Sequence, residues 1–181
     1  MTDGALTITE GLAEIKTIGK RIQKKREFIR GFLFRQETLK DPLANEGGSK
    51  AAITRERQAV ADLETRIVAI RSAIQKANTE TIIAVEGDSK SIADWLVWRR
   101  EVAPNLQAFV AQTLQACASI RQQAAQKSVP VRTDSTTEVV NDLTMNVDEQ
   151  ALAQESEKLV TILGTLDGLL SLKNATTVIT L

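Results

Sequence analysis

Apolar residues recur through residues 50–78 with the spacing of a helix that buries one narrow stripe. Ile53, Val60, Ile67 and Ile74 fall seven residues apart, and Leu63, Ile70 and Ala77 fill the slots between them. This heptad seam predicts a long helix from Lys50 to Asn78 packed against partner helices. Glu56 interrupts the seam near its start, which points to a bundle helix with an open end.

Three further helices follow from the same kind of pattern. The first opens at Thr7, with Glu10 in capping-box spacing, and carries Ile8, Leu12, Ile15, Ile22, Ile29 and Leu33. Gly11, Gly19 and Gly31 each weaken it by about 1 kcal/mol relative to Ala unless packing needs a close approach. Asp41-Pro42 and the loop through Asn45, Gly47 and Gly48 stop it, and Ser49 stands where a cap for the heptad helix is expected. Ser91 and Asp94 predict the start of the next helix, through Ile92, Trp95, Leu96 and Trp98, until Pro104 forces a kink or restart. Leu106, Val110, Thr113, Cys117, Ile120 and Ala124 then resume helical spacing to about Lys127. Asn146 with Glu149 is expected to cap the last helix, whose stripe includes Leu152, Leu159, Ile162, Leu163, Leu166, Leu169 and Leu170 and which ends at Asn174.

Between helices, β-branched runs predict short strands near 79–86, 136–144 and 175–181, the middle one on an extended arm at about 128–146. Lys76 to Ile83 and Lys173 to Ile179 share a plan of helix end, Asn, Thr and short apolar strand. If that echo is a repeat, the two strands are expected to pair in one small sheet. The fold class read from these elements is mainly α. It is an antiparallel four-helix bundle with long helices and a small β element, forming a single helical-bundle domain over 1–181.

Composition narrows the chemistry. The 181 residues include no His, no Tyr, four Phe, two Trp and one Cys, with 43% apolar and 25% charged residues. Without His, the commonest general base and metal ligand is gone, and neither a Ser-His nor a Cys-His nucleophile can be built. Cys117 sits on an apolar stripe and reads as core. Glu46-Gly47-Gly48-Ser49-Lys50 lacks phosphate-loop spacing and reads as an interhelical turn. No enzyme activity, cofactor or metal is expected. No apolar run approaches the roughly 20 residues of a membrane helix, and residues 1–11 lack the plan of a signal peptide, so a cytosolic protein with no membrane partner is expected.

The formal net charge is zero, but its distribution is polar. Lys16, Lys20, Arg21, Lys24, Lys25, Arg26, Arg30, Arg35 and Lys40 face only Glu27 and Glu37 in their segment, while residues 134–167 are acidic. The basic first helix is therefore expected beside the acidic last one, within a subunit or across a contact. Lys20, Arg21, Lys24, Lys25 and Arg26 are candidate phosphate contacts, although consecutive helical positions point around the cylinder. Trp95, Trp98, Arg99 and Arg100 form a candidate interface cluster, with an arginine free to stack on an indole. Phe28, Phe32 and Phe34 form another, and Val178 and Ile179 mark a strand able to pair with a neighbour.

The stretch from Arg66 to Arg100, with its helix end near Asn78, Thr-rich strand, turn at Gly87 and capped helix through Ile92 and Arg99, resembles the septicolysin-like family of small bacterial helical proteins. That resemblance implies a membrane-active protein. In style, a compact His-free helical chain with a long arm and a strand near its end resembles accessory structural proteins of tailed bacteriophages. The leading expectation is a non-enzymatic structural or assembly protein, homo-oligomeric and in contact with other structural proteins, with a phage particle as its setting. A nucleic-acid-associated protein using the basic helix is the alternative from another class.

Overall fold

The computed structural model describes residues 5–132 and 143–181. In order, the elements are β1 (Leu6–Thr7), α1 (Ile8–Gly31), α2 (Ser49–Glu80), β2 (Ile82–Val85), β3 (Asp88–Ser91) and α3 (Ile92–Val97). A π-helical turn (Trp98–Val102) leads into α4 (Ala103–Gln126), followed by β4 (Val131–Arg132), β5 (Leu143–Thr144), α5 (Glu149–Thr176) and β6 (Val178–Ile179). The chain is thus mainly α, with four long helices and three small strand pairs among the described residues.

The chain packs as two compact units: residues 1–81 with 171–181, and residues 82–170. In the first, Ile8, Ile18 and Ile22 of α1, Ile70 of α2 and Ile179 of β6 are buried together, flanked by Val60, Leu63, Ile67, Ile74 and Ala77. The heptad seam is this unit's interior. Glu56 takes a salt bridge from Lys25 at 2.8 Å, so the break in the seam is a cross-helix ion pair. In the second unit, Ile83 and Val85 of β2, Ile92 and Trp95 of α3, and Leu166 and Leu170 of α5 form the cluster. Each fully buried Ile or Leu contributes about 1.5–3 kcal/mol. The apolar residues expected around one four-helix core thus gather in two clusters.

The two helix starts are built alike. Thr7 accepts from the Glu10 N–H at 3.2 Å while the Thr7 N–H donates to Glu10 Oε2 at 2.8 Å. Ser91 accepts from the Asp94 N–H at 3.1 Å. Both cap residues are extended (ψ 159° and 156°), so a strand residue precedes each helix directly. Aligning Thr7 with Ser91 places Ile8 on Ile92 and Gly11 on Trp95, all four of them buried. Aligning Thr81 with Thr177 places Ile70 on Leu166 and Ile83 on Ile179, again all buried.

The strands do not pair as the echo suggested. β2 pairs with β3, Ile82 opposite Ser91 and Val85 opposite Asp88, and β6 pairs with β1, Leu6 opposite Ile179 and Thr7 opposite Val178; both pairs are antiparallel. The strand that follows α2 thus joins the strand that precedes α3, and the strand that follows α5 joins the strand that precedes α1. The expected strand near 136–144 lies, except for Leu143–Thr144, outside the described residues, and that remnant pairs in parallel with Val131–Arg132.

Three boundaries differ from the sequence reading. α2 and α5 run past Asn78 and Asn174 to Glu80 and Thr176, and the Thr79 and Thr176 hydroxyls donate to carbonyls one turn back, at 3.0 and 2.9 Å. Asp148, not Asn146, caps α5, its Oδ1 accepting from the Gln150 and Ala151 N–H groups. At Pro104 the helix restarts, as expected: α3 ends at Val97 and α4 begins at Ala103. The π turn before it re-registers the backbone, with the Ala103 N–H reaching the Trp98 carbonyl, and Pro104 falls in the first turn of α4, where its missing N–H is not needed.

Candidate interaction surfaces

The basic run on α1 divides by direction. Lys25 pairs with Glu56 and Arg26 with Glu64 at 2.7 Å, while Arg66 on α2 reaches back to Glu14 at 2.9 Å. The acids beside α1 are therefore those of α2. The acids of α5 pair elsewhere, Glu149 with Arg121 at 2.7 Å and Asp167 with Arg99 at 3.1 Å. The expected neighbour, α5, is thus not the source of these counter-charges, because the α1–α2 hairpin already supplies them. These pairs are partly exposed and contribute about 0–1 kcal/mol each. Lys20, Arg21 and Lys24 point outward and are exposed. Of the five candidate phosphate contacts, four are exposed, and Lys25 and Arg26 are the two with salt bridges to α2.

The Trp–Arg cluster resolves into core and rim. Trp95 is buried, its indole N–H donating to the Ile83 carbonyl at 3.2 Å, and Trp98 meets it edge-on with centroids 5.4 Å apart. The cation over the Trp95 ring is Lys90, 4.5 Å from the centroid. Neither arginine takes that place: Arg99 pairs with Asp167, and Arg100 pairs with the adjacent Glu101. Trp95 is thus a fold residue, and only Trp98, Arg99 and Arg100 reach the surface. Beside the two indoles lies a cleft of about 170 Å³ lined also by Val85, Glu86, Asp88, Lys158 and Ile162. It is smaller than the roughly 300 Å³ at which small-molecule pockets begin.

Val178 and Ile179 part company in the same way, as alternate residues of a strand must. Ile179 is buried in the first unit's cluster and Val178 is exposed. Ile179 is therefore held inside its own fold, where its Cδ1 lies 3.1 Å from the place a Cβ on Gly11 would occupy. Phe28 and Phe32 stack at 4.8 Å where α1 ends, and Phe34, beyond the helix, is 92% exposed.

One surface is absent from the sequence reading. The stripe assigned there to α4 is two stripes. Ala103, Val110, Cys117 and Ala124 are buried. Leu106, Phe109, Thr113, Ala116 and Ile120, continuing from Val102 at the end of the π turn, follow steps of three and four about a quarter turn round the helix. Val102, Phe109 and Ile120 are 41%, 62% and 42% exposed. The signal was present as a second heptad register interleaved with the first, and merging the two hid it. Among the described residues no group of three or more acidic or thiol side chains is placed to hold a metal ion, and no helix is long and apolar enough to cross a membrane.

No protein-family model matches the chain, and no curated protein matches it. Among solved structures, a functionally unknown conserved protein from Corynebacterium diphtheriae is similar at 15% identity and a TM-score of 0.49, over 98% of this chain and 100% of that one.

Proposed function

We propose that the protein is a non-enzymatic structural or assembly component that associates with copies of itself, with a phage particle as its setting. The observation that carries this reading is the second heptad seam on α4. A helix facing water has no need of Phe109 at 62% exposure in line with Val102 and Ile120. Apolar side chains at heptad spacing are what one helix offers another, and the seam of a second copy is the matching surface. Phe34 and Leu39, exposed beyond the end of α1, add apolar area of the same kind. The absence of His from the sequence supports the non-enzymatic half of the reading.

The test is Phe109→Glu, which places a charge on the seam while leaving the buried stripe of α4 untouched. The variant is expected to keep the wild-type circular dichroism and melting temperature and to sediment as a smaller species. Unchanged association would overturn the seam as the contact.

Outward-facing Lys20, Arg21 and Lys24 favour a second reading, binding of a polyanion such as nucleic acid. Reversal of these three to Glu is expected to abolish a salt-sensitive mobility shift with duplex DNA. Absence of any shift for the wild type at low salt would remove this reading.

A further inference from the structure

The 24 residues of α4 include a single charged side chain, Arg121, and Glu149 of the same chain holds it at 2.7 Å. A well-solvated protein surface carries roughly 25–35% charged residues. Here the seam that exposes Val102, Phe109, Ala116 and Ile120 is bordered on its outer side by exposed Asn105, Gln112, Ser119 and Gln123. A charged partner finds nothing to pair with on such a face, whereas an equally uncharged helix covers it without burying a charge. The α4 of a second copy is such a helix.

The order of side chains along the seam decides how two copies fit. From Val102 to Ile120 the steps alternate between four and three and read the same in both directions. Laid antiparallel about a two-fold axis with Leu106 opposite Ala116, the seam also sets Phe109 opposite Thr113 and Val102 opposite Ile120. The larger side chain of each middle layer then meets a smaller one, and the end layers join two β-branched chains of similar size. Laid parallel, Phe109 would meet Phe109 and Ala116 would meet Ala116, which crowds one layer and hollows the next. Large against small across facing positions is the arrangement that interdigitates, and a two-fold axis supplies every such contact twice.

We infer that two copies of this chain pair through α4 in antiparallel register, Leu106 of each lying on Ala116 of the other. The inference deepens the assembly reading, on which it rests, by naming the surface of the partner and its direction. It gives a closed pair, because each seam is used up by the other.

The test uses the full chain carrying Cys117→Ala with either Leu106→Cys or Ala116→Cys. The two single-cysteine proteins are checked for folding by circular dichroism, mixed, oxidised and run without reductant. The expected result is a covalent two-chain species in the mixture that neither protein forms alone. Val102→Cys mixed with Ile120→Cys reads another layer of the same register, should Leu106→Cys fail to fold. The double variant Leu106→Cys/Ala116→Cys is expected to give the two-chain species by itself. Its two positions lie about 15 Å apart along one helix, beyond the roughly 7 Å a disulfide tolerates, so the bond cannot close within a chain. A two-chain species from either single variant alone would mean that like faces like, and would overturn the antiparallel register. No two-chain species in any mixture removes pairing of α4 on α4. Light scattering on the wild type then separates the cases: an oligomer leaves the assembly reading standing, whereas a monomer removes both.

Discussion

Glycines that are equal on paper differ in the space around them. A Cβ on Gly19 would meet nothing within 4 Å, whereas one on Gly11 would lie 3.1 Å from both Ile179 Cδ1 and Ile70 Cγ2. Gly19→Ala is expected to stabilise the protein by about 0.5–1 kcal/mol, by removing the entropy of a helical glycine. Gly11→Ala should gain nothing, because the crowding offsets the same propensity term, and Gly11→Val should destabilise clearly. Thermal melts of the three variants decide this; equal gains at both alanine sites would contradict the packing described. The sequence marked Gly11, Gly19 and Gly31 alike, since a close approach depends on a partner some 170 residues away, and no local pattern carries that. The caps at Thr7 and Ser91 were readable because their partners lie three residues on. Asn78 stands two residues before the end of α2 at Glu80. It lies inside α2, its side-chain oxygen buried with no hydrogen-bond partner among the described residues.

At the scale of elements, the turn between α1 and α2 is held by one carboxylate. Asp41 accepts from the Ser49 hydroxyl at 2.6 Å and from the Ser49 and Leu43 N–H groups at 2.9 Å, tying the loop to the first residue of α2. The Ser49 hydroxyl first, then these two N–H groups, lower its pKa from the ordinary 3.8 to about 2. A carboxylate with a depressed folded pKa contributes stability that is complete above pH 3.8 and lost as pH falls through about 2. Asp41→Asn is therefore expected to melt below the wild type at neutral pH, with the gap closing as the pH is lowered through that window. A gap independent of pH would show that charge is not what the loop uses. Ser49 was expected to cap α2 with its own hydroxyl. It sits inside the helix and is buried, and Asp41 supplies the acceptor across a loop whose Gly47 and Gly48 have φ of 91° and 87°. The heptad seam of α2 needed no such help to be read, since a repeated spacing survives any loop geometry. The α4 seam failed for the opposite reason. Two registers on one helix look like one broad stripe until burial separates Val110 and Cys117 from Phe109 and Ile120.

At the scale of the molecule, four long helices and small strand pairs follow from periodicity and punctuation, and both were legible. The division into two compact units was not, because each unit draws on residues from both ends of the path: Ile179 with Ile8, and Leu166 with Ile83. The echo between residues 76–83 and 173–179 contained the clue. The two echoed strands pair with β3 and β1 rather than with each other, an arrangement that a search for like pairing with like overlooks. The candidate site was legible in part. Lys20, Arg21 and Lys24 and the rim residues Trp98, Arg99 and Arg100 reach the surface, while Trp95 of α3 and Ile179 of β6 are buried in the two core clusters.

The proposed association of copies rests on the exposed apolar residues Val102, Phe109 and Ile120. Light scattering coupled to size exclusion, run on the wild-type protein over a wide range of concentration, tests that claim most directly. The mass is expected to rise above the 19.8 kDa of one chain to a whole multiple of it as concentration increases. A mass of one chain at every concentration would contradict it.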